Sequence, residues 1–138
     1  MTSVIGGRDG GPYPFAMQPS PHAALAALLE AQRALEVEIQ ALPADPSGTL
    51  VAGEALLQFA RQEEEALGAL ATLLDPVVQT ALVREHEEFA EDLELLRWLL
   101  DRTPDSPDVA VLSLSLVRRM REHIERDGRL LARAVHLQ

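Results

Sequence analysis

Apolar side chains return at three- and four-residue steps along four long segments of this chain, and this pattern constrains its fold more than any other feature. A repeat close to 3.6 residues places those side chains on one face of an α-helix, and that face leaves water by packing against a neighbouring helix. The pattern therefore predicts four amphipathic helices. Their apolar stripes comprise Leu25, Leu28, Leu29, Leu35, Ile39 and Leu42; then Leu56, Phe59, Leu67, Leu70 and Leu74; then Val83, Phe89, Leu93, Leu96 and Leu100; and finally Met120, Leu130, Leu131 and Ala134.

Proline and turn residues separate the four segments. Ser20 and Ser106 each precede a proline, which matches an N-cap followed by proline at the first helical position. The stretch LPADPSGT at 42–49 is typical of a turn, the second helix is expected to end near Asp75, and DRTPDSP at 101–107 ends the third. Four helices with short connections predict an all-α, up-down-up-down four-helix bundle.

Length and composition agree with this architecture. The 138 residues suffice for about one domain, and the apolar bulk comes from Leu and Ala with only 4% aromatic residues. The net charge of -10, with 12 basic residues among 22 acidic ones, argues against nucleic acid or an anionic membrane as a partner. No apolar run is long enough to span a membrane. The absence of cysteine suits a cytoplasmic protein.

Residues 1–19 differ in character from the rest of the chain. They are rich in Gly and Pro, and they lack the basic start and apolar block of a signal peptide. We expect a flexible N-terminal tail over 1–19, followed by the bundle over 20–138.

Five polar residues interrupt the apolar stripes near the middle of the helices: Gln32, Glu63, His86, His123 and Asp127. In an antiparallel bundle they come to about the same level of the core. Burying an uncompensated polar group costs on the order of 1 to 3 kcal/mol, and burying a charge costs more. Two arrangements offset that cost: a metal ion bound by imidazoles and carboxylates, or a hydrogen-bonded network among the side chains themselves. Residue chemistry favours the two about equally.

Three motifs resemble those of a known family. The stretches FARQEEEALGAL at 59–70, LVREHEEFAEDL at 82–93 and REHIERDGRLL at 121–131 are similar to the second-, third- and fourth-helix motifs of hemerythrin-like, or HHE cation-binding, domains. The resemblance extends over about residues 21–136. It implies a four-helix bundle whose inward His and carboxylate side chains hold a non-haem di-iron centre. Such centres serve oxygen binding, sensing of oxygen or iron, or peroxide and nitric-oxide chemistry.

Matched by position, the resemblance assigns part of a metal-ligand set. Glu63 stands at the place of a bridging carboxylate, and His86 and His123 stand at the places of imidazole ligands. Asp127 matches a carboxylate ligand of some members. Gln32 occupies the place of the first-helix His. The resemblance thus implies a site held by Glu63, His86, His123 and Asp127, with Gln32 or water completing it.

Three further positions depart from the family pattern. Phe59 replaces the second-helix His, Ala90 stands where some members have a His, and Gly128 stands where others carry a carboxylate. The remaining ligands are too few for a metal pair but suit a single ion, and iron, zinc and manganese fit about equally well. We therefore do not expect oxygen carriage of the di-iron kind.

Two classes of function remain open. The first is a metal-binding module that holds one ion or an incomplete di-iron pair, with iron as the leading candidate, for sensing, storage or stress response. The second is a metal-free scaffold for protein interaction or regulation, in which the same side chains form a hydrogen-bonded network. A third idea is a pH switch, because two buried imidazoles beside carboxylates titrate near neutrality if they share protons.

The acidic runs of the second and third helices are most simply a solvated face. We expect their outward members to be Glu64, Glu65, Glu87, Glu91 and Asp92. His22 lies near the start of the first helix and His136 near the end of the fourth, and both are expected at the surface.

Trp98 points away from the centre of the third apolar stripe. A large aromatic side chain outside the core can mark a surface for a second copy of the chain or another protein. The sequence shows no phosphate-binding glycine loop and no nucleophilic triad. We therefore expect a binding protein rather than an enzyme.

Overall fold

The computed structural model describes three parts of the chain: residues 20–42, 45–70 and 75–136. These parts contain helices and turns but no strand. The predicted all-α four-helix bundle is confirmed. The helices are α1 (Pro21–Gln40), α2 (Pro46–Leu70), α3 (Pro76–Arg102) and α4 (Pro107–His136).

Two predicted N-caps are confirmed. The Oγ atom of Ser20 accepts a hydrogen bond from the backbone N–H of Ala23 at 3.1 Å. The Oγ atom of Ser106 accepts one from the N–H of Asp108, also at 3.1 Å. Each hydroxyl satisfies an N–H group that the first helical turn leaves unpaired.

An aspartate starts each of the other two helices, and the start of α2 was predicted wrongly. Asp45 accepts a hydrogen bond from the N–H of Gly48 at 2.7 Å, so α2 begins within the stretch 42–49 that was predicted to be a turn. Asp75 accepts one from the N–H of Val77 at 2.8 Å, so it caps α3 close to the expected break between the second and third helices. A carboxylate at the N-cap overrides the turn preference of the residues around it.

Consecutive helices pack against each other, and α1 closes the bundle by packing on α4. Helices α2 and α4 also meet across the centre, which brings Glu63 to the face of α4 that carries His123. Burying each aliphatic side chain contributes roughly 1.5 to 3 kcal/mol. The largest fully buried apolar side chains are Leu25, Ile39, Leu56, Leu93, Leu96, Leu116, Met120, Ile124 and Leu131.

The apolar stripe of α3 is shifted by one residue from its predicted start. Leu82 is buried, whereas Val83, which the sequence placed in the stripe, is only partly buried. Leu82, His86 and Phe89 follow one another at steps of four and three residues, as one helix face requires. This register points the His86 ring into the core.

Gly53 allows α2 to approach α3 closely. A Cβ atom at this position would lie 2.4 Å from Cδ2 of Leu93, a separation that neighbouring atoms do not tolerate. Leu93 is buried in the core and cannot move aside freely. The close approach holds α2 against α3 in the half of the bundle away from His86.

Some sequence predictions concern residues that the structure does not describe. The predicted tail at 1–19 and the stripe position Leu74 lie outside the described residues, as do the side chains of Leu67 and Leu70. Among the described residues, no helix has both the length and the apolar character needed to cross a membrane.

Candidate metal centre

Four polar side chains from three helices meet in the core. Glu63 comes from α2, His86 from α3, and His123 and Asp127 from successive turns of α4. Each is 4% exposed or less. The two imidazole rings lie edge to face with their centroids 5.3 Å apart. The structure thus gathers four of the five polar residues singled out from the sequence.

His86 lies between two consecutive glutamates of α2. Its Nδ1 atom is 2.8 Å from Oε2 of Glu64, and its Nε2 atom is 3.4 Å from Oε1 of Glu63. Glu64 is partly exposed to solvent, whereas Glu63 is buried. The ring therefore has a surface carboxylate on one nitrogen and a core carboxylate near the other.

His123 has the same arrangement on the next helix. Its Nδ1 atom is hydrogen-bonded to Oε1 of Glu85 in α3, and the other oxygen of Glu85 accepts a hydrogen bond from Arg126 at 2.8 Å. The hydrogen bond from His123, helped by Arg126, lowers the pKa of Glu85 to about 2. Glu85 is therefore ionised at neutral pH.

These contacts decide which ring nitrogen carries the proton. An ionised carboxylate only accepts hydrogen bonds, so each imidazole donates from Nδ1 to its glutamate. In the neutral ring the lone pair then lies on Nε2, the nitrogen that faces the core. Metal-binding histidines are commonly held by a carboxylate on the far nitrogen in this way.

Glu63 and Asp127 form a pair of buried carboxyl groups. Burial raises the pKa of Asp127 to about 9, and its hydrogen bond to Glu63 and the charge of Glu63 add to this shift. Burial also raises the pKa of Glu63. Two buried carboxylates both lack donors when ionised, whereas one proton between them supplies a hydrogen bond. At neutral pH the pair therefore retains a proton.

Six buried atoms of this cluster have no hydrogen-bond donor among the described residues. They are both carboxylate oxygens of Glu63 and of Asp127, and Nε2 of His86 and of His123. Nitrogen and oxygen lone pairs of this kind are the ligands of iron, zinc and manganese. The donor atoms are therefore of the chemical type that binds these ions. Protonation of the acid pair satisfies only some of these atoms.

The arrangement of the side chains is not that of a closed metal site. In the part of the chain that the structure describes, no group of three or more His, Cys, Asp or Glu side chains is arranged to hold an ion. A metal ion at these atoms would have to displace the proton that the acid pair retains.

Gln32 of α1 is buried, and its amide is engaged by other residues. Its Nε2 atom donates to the backbone oxygen of Ile124 at 2.7 Å and to Oε1 of Glu36 at 3.1 Å. A Cβ atom on Gly128 would lie 2.5 Å from this nitrogen, so the glycine makes room for the amide. The described contacts of Gln32 join α1 to α4 and include none to the four cluster residues.

Glu64 and Glu85 were missed by the sequence analysis. Glu64 was assigned to the solvated face, and it is partly exposed there, but its hydrogen bond to His86 was not foreseen. Glu85 was not singled out. Each lies next to a core residue in the sequence, at the edge of a helix face. Each holds the histidine of the next helix along the chain. That pairing depends on how neighbouring helices are aligned, which a single helix pattern does not show.

Phe59, His22 and His136 supply no ligand to the cluster. Phe59, at the family's second-helix His position, is buried, and Phe89 lies edge to face with His123 at 5.4 Å between ring centroids. His22 and His136 are exposed, as predicted.

Comparisons of the chain with protein-family models, with curated proteins and with solved structures found no match. The resemblance of three motifs to hemerythrin-like domains stays a prediction.

Proposed function

We propose that this protein is a metal-binding four-helix bundle with a site for a single ion. Its ligands are Glu63, His86, His123 and Asp127. The observation that carries the proposal is the set of six buried lone-pair atoms on these side chains that have no hydrogen-bond donor among the described residues. A cation offsets their mutual repulsion and the cost of burying them.

The glutamates behind the two histidines support the same proposal. Glu64 on His86 and Glu85 on His123 fix the orientation of each ring, and in the neutral ring they direct the lone pair of Nε2 toward the core. Such carboxylates also increase the basicity of the ligand nitrogen. A core histidine with a purely structural role needs no carboxylate partner that directs its free Nε2 lone pair toward the core.

Iron is the metal that the family resemblance implies, and zinc and manganese use the same donors. We propose a role in sensing, storage or stress response rather than in oxygen carriage. Gln32 is occupied by Ile124 and Glu36, and Phe59 offers no ligand atom, so a second metal ion lacks protein ligands. The absence of cysteine supports a cytoplasmic location.

A metal-free scaffold is the second candidate. The hydrogen bond between Glu63 and Asp127 favours it, because the two carboxyl groups and their shared proton form part of a network without any metal. In that case Trp98, which is 50% exposed beside Leu95, offers a surface for a second copy of the chain or another protein.

Thermal unfolding with and without metal distinguishes the two candidates. Protein freed of metal by chelator is titrated with Fe(II), Zn(II) or Mn(II), and unfolding is followed by circular dichroism. A bound ion stabilises the fold by about 2.7 kcal/mol when the free metal concentration is a hundred times the Kd. The same unfolding temperature with chelator and with each metal would contradict the metal site and support the scaffold.

Three histidine variants show where the metal binds. His86→Ala and His123→Ala should remove the metal-dependent part of the stability, whatever their effect on the metal-free protein. His22→Ala is the matched control, because His22 is exposed at the start of α1. If all three variants kept the full effect of metal, the ion would bind elsewhere.

A further inference from the structure

A cavity of about 410 Å³ opens between the first half of α3 and the second half of α4. Small-molecule sites in proteins have volumes of roughly 300 to 1,000 Å³, and this cavity lies in the lower part of that range. His123 and Arg133 both line it, and their separation in sequence corresponds to about 15 Å along α4. The cavity therefore extends from the candidate metal centre toward the end of the bundle.

One side of the cavity is apolar. Val78, Ala81 and Leu82 of α3 line it together with Leu130 of α4. Val77 also lines it and is 77% exposed. Apolar surface that is concave and open to solvent favours a ligand that covers it with hydrocarbon.

The other side of the cavity is positively charged, although the chain carries a net charge of -10. Arg126, Arg129 and Arg133 of α4 line it. Arg126 is paired with Glu85 and Arg129 with Glu125, each at 2.8 Å. Arg133 has no ion-pair partner among the described residues. One uncompensated guanidinium matches a ligand with one negative charge, and guanidinium groups bind carboxylates through two parallel hydrogen bonds.

We propose that this cavity binds a small organic monocarboxylate with an apolar body, such as a medium-chain fatty acid. Its carboxylate lies on Arg133, and its hydrocarbon part lies along Val78, Ala81 and Leu130. The buried carboxyl group of Asp127 at the other end disfavours the opposite orientation of the ligand. The inference goes beyond the metal site, since none of these contacts requires a bound metal.

Equilibrium dialysis of labelled octanoate against the full chain, in the presence of chelator, tests the proposal. Octanol, which lacks the charge, and inorganic phosphate, which lacks the apolar body, serve as competing probes. Octanoate should bind at one site per chain, and neither competitor should displace it at equal concentration. Because chelator is present throughout, the result is independent of whether the metal site exists.

Two variants and a control locate the octanoate. Arg133→Gln should weaken its binding about tenfold, the loss expected for one charge-assisted contact. Ala81→Phe should abolish binding by filling the cavity, since Ala81 is exposed and its replacement need not disturb the core. Arg118→Gln is the matched control, because Arg118 is an exposed arginine of α4 that does not line the cavity. Circular dichroism confirms that each variant is folded.

Four results would overturn the proposal. Absence of octanoate binding excludes the site. Displacement by octanol shows an apolar cavity with no part for the carboxylate, and displacement by phosphate shows a general anion site. Equal octanoate affinity in Arg133→Gln, Arg118→Gln and the unmodified chain places the ligand elsewhere.

Discussion

Replacing Asp127 by asparagine removes the proton that the folded protein keeps in its core. The pKa of Asp127 is raised to about 9 from an ordinary value of 3.8, chiefly by burial. Between those values the folded chain holds a proton that the unfolded chain has released, so stability falls as pH rises. The groups that face Asp127 are Glu63, His86 and His123. Asparagine has a similar shape and does not titrate.

The size of the effect follows from the number of pH units. A proton that is bound only in the folded state lowers the free energy of unfolding by about 1.4 kcal/mol for each unit that the pH rises. From pH 5 to pH 8 the free energy of unfolding of the unmodified chain should therefore fall relative to Asp127→Asn by up to about 4 kcal/mol. The difference is smaller if Glu63, whose pKa is also raised, takes up a proton in the variant. Relative to the unmodified chain, the variant should thus gain stability as pH rises.

Urea unfolding followed by circular dichroism, at several pH values with chelator present, measures this difference. Asp105→Asn is the matched control, because Asp105 is exposed in the turn between α3 and α4. Parallel curves of unfolding free energy against pH for Asp127→Asn and the unmodified chain would refute the reasoning. With metal added, we expect Asp127→Asn to be less stable than the unmodified chain, because asparagine is a weaker metal ligand than a carboxylate.

Three further predictions concern the surroundings of the cluster. Glu85→Gln should destabilise the protein at neutral pH. That loss should shrink as pH falls from about 4.5 toward 2, because Glu85, whose pKa is lowered, stabilises the fold only while its carboxylate is ionised. Measuring the unfolding free energy across this acid range checks the prediction. Gly53→Ala should lower the unfolding free energy by about 1 to 3 kcal/mol through its clash with Leu93, despite the better helix propensity of alanine; equal or greater stability in urea would contradict it. Gly128→Ala should be similarly destabilising, and Gln32→Ala should relieve most of that clash, so a double-mutant cycle should show coupling between them.

Much of the fold follows from local properties of the sequence. Apolar periodicity and the serines before two prolines are properties of single segments, so they indicated four helices and the caps at Ser20 and Ser106. The shifted stripe at Leu82 and the cap at Asp45 depend on competition between neighbouring residues of similar preference. Periodicity alone does not distinguish Leu82 from Val83 when both are apolar.

Part of the site could also be predicted, because some of its residues are visible in the pattern of a single helix. Glu63, His86 and His123 stood out because each interrupts an apolar stripe, which is visible along one helix. The carboxylates of Glu64 and Glu85 lie at stripe edges, and their roles arise only when one helix is aligned against the next. The cavity beside His123 likewise depends on the distance between α3 and α4, which no segment encodes by itself.

We propose that the buried cluster binds one metal ion. The most direct measurement is metal content per chain by plasma mass spectrometry, on protein purified without chelator and without a nickel column. We expect a single ion per chain, lost in His86→Ala and kept in His22→Ala. A chain that carries no metal, and takes up none from added iron, zinc or manganese, would contradict it.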